Sequence, residues 1–118
     1  MVQQRARAIA RFAKSEGVRP LIPLVVLVEV FRGNATDAGI DRLTGRAADV
    51  VPLTPRLVRL AGQIRTRAGR GSAVDAIVVA TAIRIGGGVV ATADPDDLKA
   101  LASDHPNVRI WSLSGPSP

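Results

Sequence analysis

Three carboxylates stand among apolar residues. Glu29 interrupts the run Leu24-Val-Val-Leu-Val-Glu-Val-Phe31, Asp75 sits within Ala73-Val-Asp-Ala-Ile-Val-Val-Ala80, and Asp94 follows Val89-Val-Ala-Thr-Ala93. A charge in such surroundings is costly unless it is paired, hydrogen-bonded or bound to a cation. The chain has no cysteine and one histidine, His105. Converging carboxylates would therefore suit a hard ion such as Mg²⁺ or Mn²⁺. Such a metal activates water and stabilises a phosphoryl transition state. Each acid also has a structural alternative. Glu29 can pair with Arg32 at i,i+3. Ser72-x-x-Asp75 has the spacing of a capping box. Asp94 before Pro95 suits a helix N-cap, and Asp97 three residues on favours the helix dipole. Spacing alone leaves both readings open.

Composition narrows the classes. A length of 118 residues is about one small domain, and 47% hydrophobic with 22% charged residues is ordinary globular usage. Without cysteines there is no disulfide framework, thiol nucleophile or cysteine metal site. Three aromatic residues (Phe12, Phe31, Trp111) are too few for a base-stacking platform. The longest apolar run, Leu21 to Phe31, contains Pro23 and Glu29 and falls short of the roughly 20 residues of a membrane helix. A cytoplasmic location is the default expectation. Charge is uneven. Residues 1–70 hold thirteen basic and five acidic residues, a balance of +8, and residues 71–118 hold three and five, a balance of −2. Fourteen of the sixteen basic residues are arginine, the better fork for phosphate. The basic half fits an RNA backbone, with Arg5, Arg11, Arg56, Arg59 and Arg67 as binding candidates, or else a solvated face.

The elements that must position these groups follow from periodicity and punctuation. Ala8, Ile9 and Phe12 among Arg5, Arg7, Arg11 and Lys14 predict an amphipathic helix over 3–16, stopped by Gly17. Pro23 suits a first helical position, so Leu24 to Arg32 is expected to be helical, with Gly33 as its stop. Residues 34–47 are expected to be short helix and loop. Ala48 to Leu53 is a strand candidate, and Thr54-Pro55 opens a helix whose apolar face is Leu57, Leu60, Ala61 and Ile64. A buried helix from Ser72 to about Arg84 follows, ended by Gly86-Gly-Gly88. Val89 to Thr92 is a strand, Asp94-Pro95 opens a helix to about Ala102, and Val108 to Leu113 is the last strand. Alternation of strand and helix favours an α/β fold with a parallel sheet. Residues 1–113 are taken as a single domain and 114–118 as a flexible tail. The glycines at 86–88 follow a helix and precede a strand, the reverse of a phosphate loop, which argues against a nucleotide-binding reading.

In this order, the motifs resemble those of the PIN-domain family. Pro20-Leu-Ile-Pro-Leu-Val-Val-Leu-Val-Glu-Val-Phe-Arg-Gly33 is similar to the helix bearing the family's second acid. Ser72-Ala-Val-Asp-Ala-Ile-Val-Val-Ala80 is similar to the helix of the third, and Val89-Val-Ala-Thr-Ala-Asp-Pro-Asp-Asp-Leu98 to the strand and turn of the fourth. The similarity covers nearly the whole chain and is closest to VapC-like toxins of toxin–antitoxin systems. It implies a three-layer α/β/α fold with a parallel sheet. It also implies a Mg²⁺- or Mn²⁺-dependent ribonuclease that hydrolyses RNA with a metal-activated water. Glu29, Asp75 and Asp94 would be the catalytic and metal-holding acids, Asp97 an accessory acid, and Thr92 a support for the acidic turn. The implied partners are RNA, a cognate antitoxin protein and a second copy in a homodimer.

The resemblance departs at the front. PIN domains begin with a hydrophobic strand that ends in their first Asp, whereas no acid precedes Glu16 here. The expectation is a chain without the central first strand and its Asp, from a miscalled or truncated start. The alternative function is a catalytically impaired PIN-like protein that binds RNA or antitoxin without cleavage.

Overall fold

Two units make up the fold, Met1–Pro52 and Leu53–Pro118. The structure, a computed structural model, describes residues 2–35, 37–46, 48–116 and 118. Within these, the side chains of 2–6, 29, 30, 40 and 43–46 lie outside the description.

The first unit opens with α1 (Val2–Glu16). Gly17, at φ 69°, ends it, and the amide of Val18 returns to the carbonyl of Ala13 at 2.9 Å. Strand β1 (Leu21–Pro23) pairs in parallel with β2 (Asp49–Val51), with Leu21 opposite Asp49. Arg19 Nε meets Asp49 Oδ2 at 3.2 Å beside that first rung. Between the strands lie α2 (Val26–Val30) and α3 (Asp37–Arg46). The helix expected from Leu24 is thus shorter, and Pro23 closes a strand. The reason is tertiary: β2 supplies a partner for 21–23, and the Leu24 amide donates to the carbonyl of Val51 at 2.8 Å. A proline at a strand's end costs no interior rung of the ladder.

The second unit follows the expected order. Thr54 caps α4 (Pro55–Ala68), its Oγ1 accepting from the Leu57 amide at 3.3 Å, and Gly69 closes it at φ 68°. Leu57, Ala61 and Ile64 are its buried stripe. Helix α5 (Ala73–Arg84) buries Ala76, Val79, Ala80, Thr81 and Ala82 and packs against α4, α6 (Pro95–Leu101) and the strands β3 (Gly88–Thr92) and β4 (Val108–Ser112). β3 and β4 pair in parallel from Gly88 opposite Val108 to Thr92 opposite Ser112. Parallel pairing requires a crossover, and α6 provides it. Val90, Leu98, Leu101, Val108 and Trp111 complete this core. The mixed α/β reading with parallel strands holds. Among the described residues no helix is long and apolar enough to cross a membrane.

At the junction of α5 and β3, Gly87 has φ 109°, and a Cβ there would lie 2.6 Å from the carbonyl oxygen of Asn107. Gly87→Ala should therefore destabilise the protein by about 2–3 kcal/mol. Gly62, on the exposed face of α4 with open space around it, is the contrast: Gly62→Ala should be neutral or stabilising by up to about 1 kcal/mol. Urea denaturation of the two variants checks both signs.

Candidate active site

Helix α5 is apolar along its length, so a charged residue can stay near water only at its ends. Asp75 occupies the third helical position. Ser72, in extended conformation at the N-cap, accepts from the Asp75 amide through Oγ at 3.0 Å. This is half of a capping box, the half made by the hydroxyl. The Asp75 carboxylate, half-buried, has no hydrogen bond or ion pair among the described residues.

Asp94 lies just past the carboxyl end of β3. The turn that carries it is closed by Thr92, whose Oγ1 accepts from the Asp94 amide at 3.0 Å and donates to the Asp94 carbonyl at 3.2 Å. Leu113 anchors the same strand end, its amide donating to the carbonyl of Thr92 at 2.8 Å. Asp94 stands at the N-cap of α6 with Pro95 at the first helical position, yet its side chain makes no capping hydrogen bond. The purely structural alternative for this residue thus loses its main support, because an N-cap aspartate normally accepts from the second or third helical amide. Its carboxylate is exposed and uncommitted among the described residues.

Asp97, the accessory acid of the sequence reading, is engaged. Arg70 Nε donates to Asp97 Oδ1 at 2.7 Å, and Arg70 Nη2 reaches the same oxygen at 2.7 Å. Glu29 lies on α2 in the first unit, and its side chain, like that of Arg5, is outside the described residues. Among the described residues no group of three acids, imidazoles or thiols gathers in a metal-ligand arrangement. Among the described residues of the second unit, the carboxylates of Asp75, Asp94 and Asp96 have no hydrogen bond or ion pair, and the first two are the acids singled out by the sequence. Their oxygen-only chemistry fits a hard divalent cation and not a soft one.

The basic candidates sort by engagement. Arg56 and Arg59 project from α4, exposed and without a partner among the described residues. Arg11 is exposed on α1. Arg67 Nε meets Asp104 at 2.8 Å, but its side chain is 80% exposed, so the pair is worth at most about 1 kcal/mol and phosphate can compete for it. His105 lines a shallow cleft with Ile64, Arg67, Leu101 and Asp104.

Two ordering residues escaped the sequence reading. Asp37 accepts from the amides of Arg32 at 2.9 Å and Gly33 at 2.8 Å, tying the loop after α2 to the start of α3. Arg70 reaches across 27 positions to Asp97. The aspartate had a local signal, since a first-turn Asp after a Gly-Asn loop suits such a bridge. The arginine had none.

The family model described as PIN domain matches residues 3–103. No curated protein matches the chain.

The two hydrogen bonds of Thr92 hold the Asp94 turn. Thr92→Val keeps the shape and removes both, so it should cost about 1–2 kcal/mol of stability. Ser72→Ala, which removes the α5 cap, should cost about 1 kcal/mol. Thermal unfolding monitored by circular dichroism reads both losses.

Proposed function

The chain belongs to the PIN domain family, a family of nucleases, and on that premise we propose that it is a metal-dependent endoribonuclease, the toxin component of a toxin–antitoxin pair acting in the cytoplasm. The observation that carries the reading is Asp94: an N-cap carboxylate that does not cap, at the carboxyl end of a parallel strand. Ligands of α/β sheets bind at strand carboxyl ends.

Asp75 and Asp94, with Glu29, would hold Mg²⁺ or Mn²⁺. When bound, the cation supplies Lewis acidity at the phosphoryl group and makes water a competent nucleophile at neutral pH. The chain's own residues do the rest. Ser72 and Thr92 occupy the backbone amides of Asp75 and Asp94, which fixes both turns and keeps the carboxylate oxygens available. Arg56, Arg59 and Arg67, with Arg5 and Arg11, neutralise RNA phosphates and set the strand's position without reading sequence. A cognate antitoxin would act by covering the acidic turns.

An RNase assay on the purified chain tests this. Cleavage should require Mg²⁺ or Mn²⁺ and stop with EDTA. Asp75→Asn and Asp94→Asn should each lower the rate at least about 100-fold, the loss of a few kcal/mol of transition-state stabilisation. The paired substitution Arg56→Ala/Arg59→Ala should weaken RNA binding and reduce its salt dependence. RNA binding without metal-dependent cleavage would instead support the non-cleaving alternative.

A further inference from the structure

The segment between α4 and α5 runs along one face of α6. Arg70 bonds Asp97, and Gly71, the next residue, approaches Leu101 so closely that a Cβ on it would lie 2.8 Å from Leu101 Cδ1. Asp97 and Leu101 are four apart and therefore neighbours on the helix surface. The carbonyl of Gly71 is also held from behind, accepting from Arg65 Nε at 3.0 Å. The next residue, Ser72, caps α5 beside Asp75. At the other end of the bridge, Asp97 stands three residues after Asp94, in the first turn of α6.

We propose that Arg70 is a positioning residue for the acidic site: through Asp97 it clamps the first turn of α6 to the segment that leads into α5, and so fixes Asp75 and Asp94 relative to each other. This rests on the reading of those two acids as metal-holding groups. Both Arg70 contacts fall on Oδ1 of Asp97, with the two side chains 54% and 36% exposed. A pair this exposed adds little global stability. Its effect is local, on the spacing of two turns that no other side-chain hydrogen bond among the described residues joins. In this reading Asp97 acts through the arginine, on the side of its Oδ1.

The test compares Arg70→Ala, Arg70→Lys, Asp97→Ala and the exchange Arg70→Asp/Asp97→Arg in the full chain. Mn²⁺ alone is titrated without RNA, and amide hydrogen exchange is followed in EDTA. Arg70→Ala should weaken Mn²⁺ binding about threefold to fivefold, Arg70→Lys should recover part of this, and the exchanged pair should return towards the parent. Without metal, Arg70→Ala should speed exchange at both 73–76 and 96–98. An exchanged pair that binds Mn²⁺ no better than Asp97→Ala would make Asp97 a ligand and overturn the proposal, as would unchanged exchange at both turns. If the parent itself binds no Mn²⁺, the metal-holding reading fails, and the exchange measurement alone decides whether the clamp exists. If Arg70→Ala does not fold, the Arg70→Lys and exchanged-pair measurements decide in the same way.

Discussion

Helix α5 buries Ala76, Val79, Ala80, Thr81 and Ala82 and is packed by α4, α6 and both strands of its unit. Between its ends the helix carries no charge on any face, and Ile77, Val78 and Ile83 are half-buried. Its ionisable residues are confined to the ends, Asp75 in the first turn and Arg84 in the last, each with the sign that the helix dipole favours there. Even its buried hydroxyl is satisfied internally, with Thr81 Oγ1 donating to the carbonyl of Ile77 at 2.8 Å. Alanines at three of the five buried positions let neighbouring elements approach closely, so α5 works as a spine against which the rest of the unit is registered.

In each of the two acidic turns a hydroxyl residue satisfies a backbone amide: Ser72 at the start of α5 and Thr92 before α6. Aspartate at a helix start is ordinarily spent on the helix itself. Here Ser72 does that work for α5, whereas Thr92 holds the amide of Asp94 itself and no side chain caps α6. The two turns are closed differently, yet both leave the aspartate side chain without a hydrogen bond or ion pair among the described residues.

The parts legible in the sequence are those written in local chemistry. Thr54-Pro55, Ser72, Gly86-Gly-Gly88 and Asp94-Pro95 mark helix and strand boundaries through caps and backbone freedom, and the structure places α4, α5, β3, α6 and β4 accordingly. The resemblance of three motifs in order likewise pointed to the family that matches residues 3–103. The failure at Leu21–Pro23 has a physical cause. A three-residue strand is defined by its partner, and β2 lies 28 positions on; the proline within it sends a louder local signal for a helix start. The bridge from Arg70 to Asp97 was illegible for the same reason, because an exposed arginine in a charged segment looks like any other until the fold chooses its neighbour. Asp97 was legible as an acid but not as an acid already engaged.

Asn107 holds β4 to the end of α5 by more than packing. Its Nδ2 donates to the carbonyl of Gly86 at 2.9 Å, and its own carbonyl accepts from the amide of Gly88 at 2.9 Å. The ladder begins at the very next rung, Gly88 opposite Val108. Strand faces alternate with every residue, so Val108 and Trp111, three apart, are buried on opposite faces, and a slip of one position would move both out of their places. The consequence is one for inheritance. Point changes along β4 can be absorbed one side chain at a time, but a codon gained or lost between Asn107 and Trp111 alters every later contact at once. Length variation in descendants of this sequence should be confined to segments on which no such staple depends.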